Sequence, residues 1–321
     1  MEYRKLGKWG IKVSEVGLGS WLTYGETIAE EDTSYQVHFA FERGINFFDC
    51  ANVYAHGQAE RMYGKALKDI KRDSVVLATK VFFPMDEGAN DRGLSRKHIF
   101  EQCHHSLERL NTDYIDLYQC HRPDPNVPIY ETVRAMDDLI KQGKILYWGV
   151  SEWSADQIEE AVHTAYSLNA MPPVSNQPQY NMLWRRIEDD VIGRCEELGV
   201  GQVVFSPLAQ GVLTGKYKPG QPYPKDSRAA DDKQNFFLIG RDTMSDETLA
   251  LVQRLLPIAE GAGLSMAQLA LAWCLRKSNV ASVIIGATKV EQIEDNCKAV
   301  GTNLGDDVWK KVDDVLAAAV K

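Results

Sequence analysis

The chain has 321 residues, 44% of them hydrophobic and 25% charged, ordinary for a globular protein and enough to bury one large core. A net charge of −9 and a pI near 5.4 argue against a general nucleic-acid or anionic-membrane binder, since both need a basic face. Six cysteines (50, 103, 120, 195, 274 and 297) show no C-x-x-C spacing, unlike a metal site or disulfide framework, and fit thiols in a reducing compartment, by default the cytoplasm.

The N-terminus, Met-Glu-Tyr-Arg-Lys, has no apolar h-region behind it and predicts no secretory signal. No apolar run approaches the roughly 18 residues that span a bilayer, so no membrane insertion is expected. Residues 3–16, with Gly7 and Gly10 in the middle, predict a small hairpin. The first short β-branched run follows at 16–19, and Gly44 ends a helix before the second, Ile-Asn-Phe-Phe-Asp at 45–49. The third run is 75–79. Ser95 then precedes Ile99, Cys103, Leu107 and Leu110, an apolar stripe at helical spacing. After the fourth run at 114–118, Pro128 suits the first turn of another helix. The fifth run is 145–149, and Ser154 with Gln157 forms a capping-box pair. The sixth is 174–177, and Gly199 ends a helix before the seventh, 202–205. From Ser206 to about Ser245 the chain is rich in Gly, Pro, Lys, Asp and Ser, the mark of a lid or binding loop. Gly263 ends the next helix, Ser265 with Gln268 caps another, and the eighth run is 281–285.

Eight apolar runs alternating with amphipathic stretches read as parallel strands buried on both faces beneath helices. With no composition break or linker, residues 1–321 predict one domain of the α/β class, a closed (β/α)8 TIM barrel. The hairpin would plug its N-terminal mouth, and the long loop would follow strand seven on the face where barrels build sites. An open doubly wound sheet is the alternative, weakened because no G-x-G-x-x-G opens a helix after a strand.

Asp49, Lys80 and His121 end strands two, three and four, and Tyr54 follows Asp49 in the loop. Neighbouring strands lie about 4.8 Å apart, so these tips can converge within about 10 Å. A phenol is a poor acid at neutral pH, but an adjacent ammonium favours the phenolate, and a carboxylate keeps that ammonium charged in a dry site. A histidine beside the phenol could orient a carbonyl oxygen. Singly, each residue has an ordinary explanation: a turn cap, a solvated strand end, a core histidine, a packing aromatic. Their joint placement on one rim is the signal. His104 and His105 lie mid-helix and read as surface, and no His/Cys/Asp/Glu group has metal-ligand spacing. At the end of strand eight, Gly286 permits close backbone approach, and the following helix N-terminus suits phosphate.

Residues 44–54, Gly-Ile-Asn-Phe-Phe-Asp-Cys-Ala-Asn-Val-Tyr, resemble the first signature of the aldo-keto reductases. Ala78-Thr-Lys80 and His121 resemble the rest of their Asp-Tyr-Lys-His tetrad, and the resemblance covers essentially the whole chain. It is closest to the branch containing voltage-gated potassium channel β-subunits, through Gly-Leu-Gly-Ser-Trp21, His-Arg-Pro-Asp-Pro-Asn126 and the Ser-Pro-Leu-Ala-Gln-Gly stretch that leads to Tyr217. The resemblance implies NADP(H) as cofactor, a small carbonyl compound as substrate, and reduction of aldehydes and ketones to alcohols. In it, residues matching Thr288, Gln292, Asp295 and Asn296 hold the adenosine end, while Gly286 and Thr288 approach the phosphates. Ser206, Pro207, Leu208, Gln210, Gly211 and Lys216 match residues around the pyrophosphate. Ser227-Arg228 matches the segment whose arginine meets the ribose 2′-phosphate, for which a planar guanidinium is suited. Ser151 and Gln177 match the residues that hold the nicotinamide carboxamide. Phe205 stands where an aromatic stacks on the ring, and Glu152 replaces an Asn common at its position. Gly19, Ser20, Trp21 and Asp49 join the cofactor set, and Trp21, Tyr54 and His121 the substrate set.

Relatives in this branch often form tetramers, so a homo-oligomer is expected by analogy alone. The functional alternative is a regulatory subunit that senses bound cofactor, like the channel β-subunits. Animal channel subunits of the branch carry Asn where His121 stands and are slow, which favours a working reductase here. A barrel isomerase or aldolase using Lys80 as base or Schiff-base amine would need neither Arg228 nor the strand-eight phosphate loop.

Overall fold

The computed structural model describes residues 1–25, 28–232, 234–235, 238 and 242–317. It begins with an antiparallel hairpin, β1 (Tyr3–Lys5) and β2 (Lys12–Ser14), paired from Tyr3↔Ser14 to Lys5↔Lys12. Eight parallel strands then close into a barrel. They are β3 (Val16–Gly19), β4 (Phe47–Asp49), β5 (Val76–Val81), β6 (Ile115–Cys120), β7 (Ile145–Val150), β8 (Ser175–Asn176), β9 (Gly201–Val204) and β10 (Val280–Ile285). The helices around them are α1 (Glu30–Glu42), α2 (Gln58–Ala66), α3 (Arg96–Leu110), α4 (Ile129–Lys141), α5 (Ala155–Ser167), α6 (Val191–Leu198), α7 (Asp246–Gly261), α8 (Met266–Leu275), α9 (Val290–Cys297) and α10 (Asp306–Ala317). This is the (β/α)8 barrel that the alternation predicts. Among the described residues, no single helix is long and apolar enough to cross a membrane.

The hairpin seals the N-terminal mouth as expected. Leu6 and Val13 are fully buried and pack into the inner core with Phe47, Val76, Ala78, Leu117, Val174, Val203, Ala281 and Ile284. The approach is close enough to demand glycine. Gly7 has φ +54°, and a Cβ there would fall 2.1 Å from the Gly199 carbonyl oxygen. Arg4 fastens the hairpin to the far end of the chain: Nη1 donates to the carbonyls of Leu275 (2.8 Å), Lys277 (3.3 Å) and Val280 (2.9 Å), and Nε pairs with Glu15 (2.6 Å).

The helix signals hold in detail. Ser95 caps α3 by accepting from His98 N, and Ile99, Cys103, Leu107 and Leu110 are all buried. Ser154–Gln157 and Ser265–Gln268 are reciprocal capping boxes opening α5 and α8. Gly44, Gly199 and Gly263 follow α1, α6 and α7 in left-handed conformations. Most strand limits shift by one or two residues from the expected runs, and two boundaries differ for a visible reason. Pro128 is the cap before α4 and not part of its first turn. Strand β4 starts at Phe47 because Asn46 turns to the hairpin: its Oδ1 accepts from Ser14 N (2.7 Å) and its backbone N donates to Ser14 Oγ (3.1 Å).

Among its described residues, the segment from β9 to α7 forms short 3-10 turns at Ala209–Thr214, Arg228–Ala230 and Asp242–Met244, and it ends at the cap Ser245. Residues 233, 236, 237 and 239–241 of this expected long loop lie outside the described residues. His104 and His105 are exposed, as their mid-helix context suggests.

Candidate active site

The tips of β4, β5 and β6 are in register where the tetrad needs them: Asp49 is paired with Ala78, and Lys80 with Gln119. Because side chains alternate along a strand, Asp49, Lys80 and His121 all turn into the mouth of the barrel. The Lys80 ammonium, fully buried, lies 2.7 Å from Asp49 Oδ2, 2.7 Å from the Cys50 carbonyl oxygen and 3.3 Å from Tyr54 Oη. Asp49 Oδ1 accepts from Gln177 Nε2 (2.8 Å) and, at longer range, from Gln119 Nε2 (3.4 Å). The His121 ring stands edge-on to Tyr54, with centroids 5.7 Å apart, and its Nδ1 is buried without a hydrogen-bond partner.

Burial works against the Lys80 ammonium, but Asp49 and Tyr54 outweigh it and its pKa is raised. It is therefore a cation at neutral pH. Burial pushes the Tyr54 phenol above its ordinary value, with Lys80 pulling it back down and Asp49 adding to the rise. Lys80 thus favours the phenolate as expected, but the depth of the site outweighs it and the resting phenol keeps its proton. Burial, and then the Lys80 and Arg122 charges, push the His121 imidazole well below its ordinary range, so it is neutral.

These groups stand at one end of a cleft of about 1120 Å³ that runs to the helix after β10. Gly19, Trp21, Asp49, Tyr54, His121, Ser151, Glu152, Gln177 and Phe205 line it on the tetrad side. Ser206, Pro207, Leu208, Gln210, Gly211, Lys216, Ser227 and Arg228 line it along the long loop, and Gly286, Thr288, Gln292, Asp295 and Asn296 at the far end. Lys80 reaches the cleft through Tyr54. Ser20 is the correction: it is fully buried behind the wall, and its hydroxyl donates to the Asp49 carbonyl (3.1 Å), so it braces Asp49 and does not face the cleft.

The walls fit a dinucleotide. Helix α9 has no side-chain cap, and its N-terminal turn lies on the cleft wall, where Thr288, Glu291 and Gln292 line it, a position suited to an anion. A Cβ at Gly286 would meet nothing closer than Thr23 at 4.0 Å, so the backbone there is open to a ligand. Gln210 Oε1 and Ser227 Oγ are buried without hydrogen-bond partners, and both residues line the cleft. Burial lowers the Arg228 pKa, and burial followed by the nearby Arg228 charge lowers that of Lys216; an anion between them would relieve both. Some predicted contacts are already engaged. Thr288 N donates to Gln292 Oε1 (2.8 Å), and the Asp295 carboxylate accepts from Ser265 Oγ (2.9 Å) and Gln268 Nε2 (2.6 Å). Two loops meet across the cleft: Gln234 Nε2 donates to the Leu22 carbonyl (3.0 Å), and the Arg228 guanidinium lies 5.9 Å from the Trp21 ring centroid.

Left-handed backbone gathers on this rim. Leu22 (φ 60°), Ala55 (47°), Glu152 (58°), Ser206 (52°) and Gln210 (56°) all line the cleft. Such residues cost about 1–3 kcal/mol each and persist where a site demands them. Glu152 is exposed and accepts the Gln179 backbone N–H. Sequence reasoning missed Phe83, Gln119 and Arg122. Phe83 stacks edge-on against His121 at 4.9 Å, and Arg122 donates to the His121 carbonyl and to Ser151 Oγ (3.4 Å). Their signal was available: all three lie within two residues of a strand end or of His121.

A closed parallel barrel carrying a Tyr–Lys–Asp–His cluster at its C-terminal mouth and a cleft fitted to a dinucleotide defines an oxidoreductase-type protein. The model of the aldo/keto reductase family matches residues 15–317, and the chain belongs to that family. Members of the family generally bind NAD(P)H. Over 303 residues the chain is 45% identical to a protein of Oryza sativa subsp. japonica and to one of Arabidopsis thaliana, both named "probable voltage-gated potassium channel subunit beta". Each alignment covers 94% of this chain and 91% of the relative. A Schizosaccharomyces pombe protein named "putative voltage-gated potassium channel subunit beta" is 44% identical over 323 residues, covering 98% and 93%.

Proposed function

We propose that the protein is an NADP(H)-dependent carbonyl reductase in which Tyr54 is the proton donor. The observation that carries this reading is the buried Lys80 ammonium, shared between Asp49 at 2.7 Å and the Tyr54 phenol at 3.3 Å. When bound, NADPH supplies the hydride that reduces the carbonyl carbon. Tyr54, protonated at rest, gives its proton to the oxygen as negative charge develops there. Lys80 stabilises the phenolate left behind, and Asp49 keeps Lys80 charged where both side chains are buried. His121, neutral, offers an N–H that orients the carbonyl oxygen. Phe205 presents an apolar face for the nicotinamide, and Ser151 and Gln177 present polar atoms for its carboxamide. At the other end, Lys216 and Arg228 receive the phosphates and favour NADPH over NADH.

The names of the relatives favour a second reading, a cofactor-sensing subunit that binds a channel. Repeated turnover separates the two. NADPH consumption with small aldehydes and diketones, followed beside a single turnover of the preloaded complex, should run through many equivalents. Oxidation of one bound equivalent followed by a stall on every substrate makes the sensor the better account.

A further inference from the structure

The tetrad end of the cleft holds a second cation that the reduction itself does not use. Arg122, the residue after His121, lines the cleft and is half-buried. Its Nη1 is held by the His121 carbonyl and by Ser151 Oγ at 3.4 Å, and its guanidinium lies 5.7 Å from the Phe83 ring centroid. Phe83 in turn packs on His121. The guanidinium is therefore fixed beside the groups that would receive the carbonyl, and only Nη1 is engaged among the described residues, leaving its Nε–Nη2 edge for another acceptor.

Several other half-buried or buried cations have acid partners, Arg4 with Glu15, Arg72 with Asp116, Arg109 with Glu60, and Lys80 with Asp49, and among the described residues Arg122 shares the lack of one with half-buried Arg228, Lys144 and Lys277. Among the described residues, no carboxylate lies within ion-pair distance of Arg122. Glu152, on the same rim, accepts the Gln179 N–H, and Asp49 is taken by Lys80 and Gln177. The phosphate-facing cations Lys216 and Arg228 belong to the long loop, whereas Arg122 follows β6 at the tetrad. A guanidinium edge offers two parallel N–H donors to a carboxylate or phosphate.

We propose that Arg122 recognises an anionic group on the substrate, so that the protein prefers carbonyl compounds carrying a carboxylate or a phosphate. This deepens the reductase reading and rests on it. The hydride and proton steps are unchanged; Arg122 touches the part of the substrate that does not react, and selects it.

The test compares kcat/KM within matched pairs: 4-carboxybenzaldehyde against its neutral methyl ester, and glyceraldehyde 3-phosphate against glyceraldehyde. At low salt the wild-type protein should favour the anionic member of at least one pair about tenfold or more, equivalent to about 1.4 kcal/mol, and salt should erode the preference. The pair that shows it tells carboxylate from phosphate. Arg122→Gln should bring that ratio toward one, and Arg122→Lys should leave part of it. Because Arg122 also braces His121, the readout is the ratio within a pair, from which a general loss of activity cancels. A wild-type ratio near one in both pairs, or a ratio that Arg122→Gln leaves intact, overturns the proposal. If no aldehyde is reduced, the reductase reading has failed, and calorimetry then decides the anion site. In the presence of NADP+, 4-(hydroxymethyl)benzoate should bind at least about tenfold tighter than benzyl alcohol in an Arg122-dependent way; equal binding removes the site.

Discussion

Gln177 donates its side-chain amide to Asp49 Oδ1 at 2.8 Å, from β8's end to the tip of β4 across the mouth of the barrel. With Lys80 on Oδ2, this leaves the buried carboxylate held from both sides. Gln177→Met removes one side and leaves only Gln119, at 3.4 Å, on Oδ1. A hydrogen bond to a charged group contributes about 1.5–3 kcal/mol, so the urea midpoint should fall by a corresponding amount. An unchanged midpoint would mean that water replaces the amide without loss.

Tyr54→Phe keeps the ring against His121 and removes only the phenol. Carbonyl reduction should fall about 10²–10⁴-fold, the usual contribution of general acid catalysis, with NADPH affinity nearly unchanged. Retention of more than about a tenth of wild-type turnover, with hydride transfer limiting, assigns the proton to another group.

Cofactor choice turns on Arg228. One or two charge-assisted hydrogen bonds to a 2′-phosphate, at about 1.5–3 kcal/mol each, give NADPH at least about a tenfold advantage over NADH. Arg228→Ala should remove most of that advantage while leaving NADH binding almost as it was. Equal weakening of both, measured by quenching of intrinsic fluorescence, would make Arg228 a structural contact of Trp21.

His121→Asn keeps the cofactor site and takes away the imidazole that orients the carbonyl. Misplacement of a reacting group can cost about 10²-fold with every other group present, so turnover should drop while NADPH still binds. Unaltered turnover with several aldehydes would show that Tyr54 alone positions the oxygen.

The same substitution should flatten the acid side of the stability profile. The folded-state pKa of His121 is depressed, so below the unfolded value of about 6.5 the unfolded chain takes up a proton that the folded protein refuses. Stability therefore falls as pH drops from about 6.5 toward the folded pKa, by up to about 1.4 kcal/mol per pH unit, and is fully present above that window. Urea midpoints at several pH values between about 7.5 and 5, wild type against His121→Asn, isolate the effect because the depressed His98 is common to both. Parallel profiles would mean that His121 protonates freely.

The barrel was legible because strands buried on both faces are nearly uninterrupted apolar runs, and the tetrad because polar residues close those runs. Where the reading slipped, a tertiary contact decides. Asn46 leaves β4 to bond the hairpin, and Ser20 turns behind the wall to brace Asp49. Gln119 lies two residues before His121, so strand alternation alone places it inside, although it falls just past the apolar run at 114–118. The residues along the long loop carry no periodicity and were reached by resemblance. The net rise of the Tyr54 pKa depends on how deep the phenol sits, a property of the closed barrel that spacing along the chain does not encode.

Arg4 couples the first strand of the hairpin to carbonyls 271 to 276 residues further along the chain. During synthesis at about 5–20 residues per second, the hairpin emerges on the order of tens of seconds before those carbonyls exist. Until β10 leaves the ribosome, the barrel lacks its closing strand, and the apolar inner face around Phe47, Val76 and Leu117 stays open at the bottom. Sealing that mouth is thus a late event, made from contacts of very high sequence separation, which form slowly. Until β10 is available that apolar face has no closing strand beside it, and docking of Leu6 and Val13 from the hairpin then buries it.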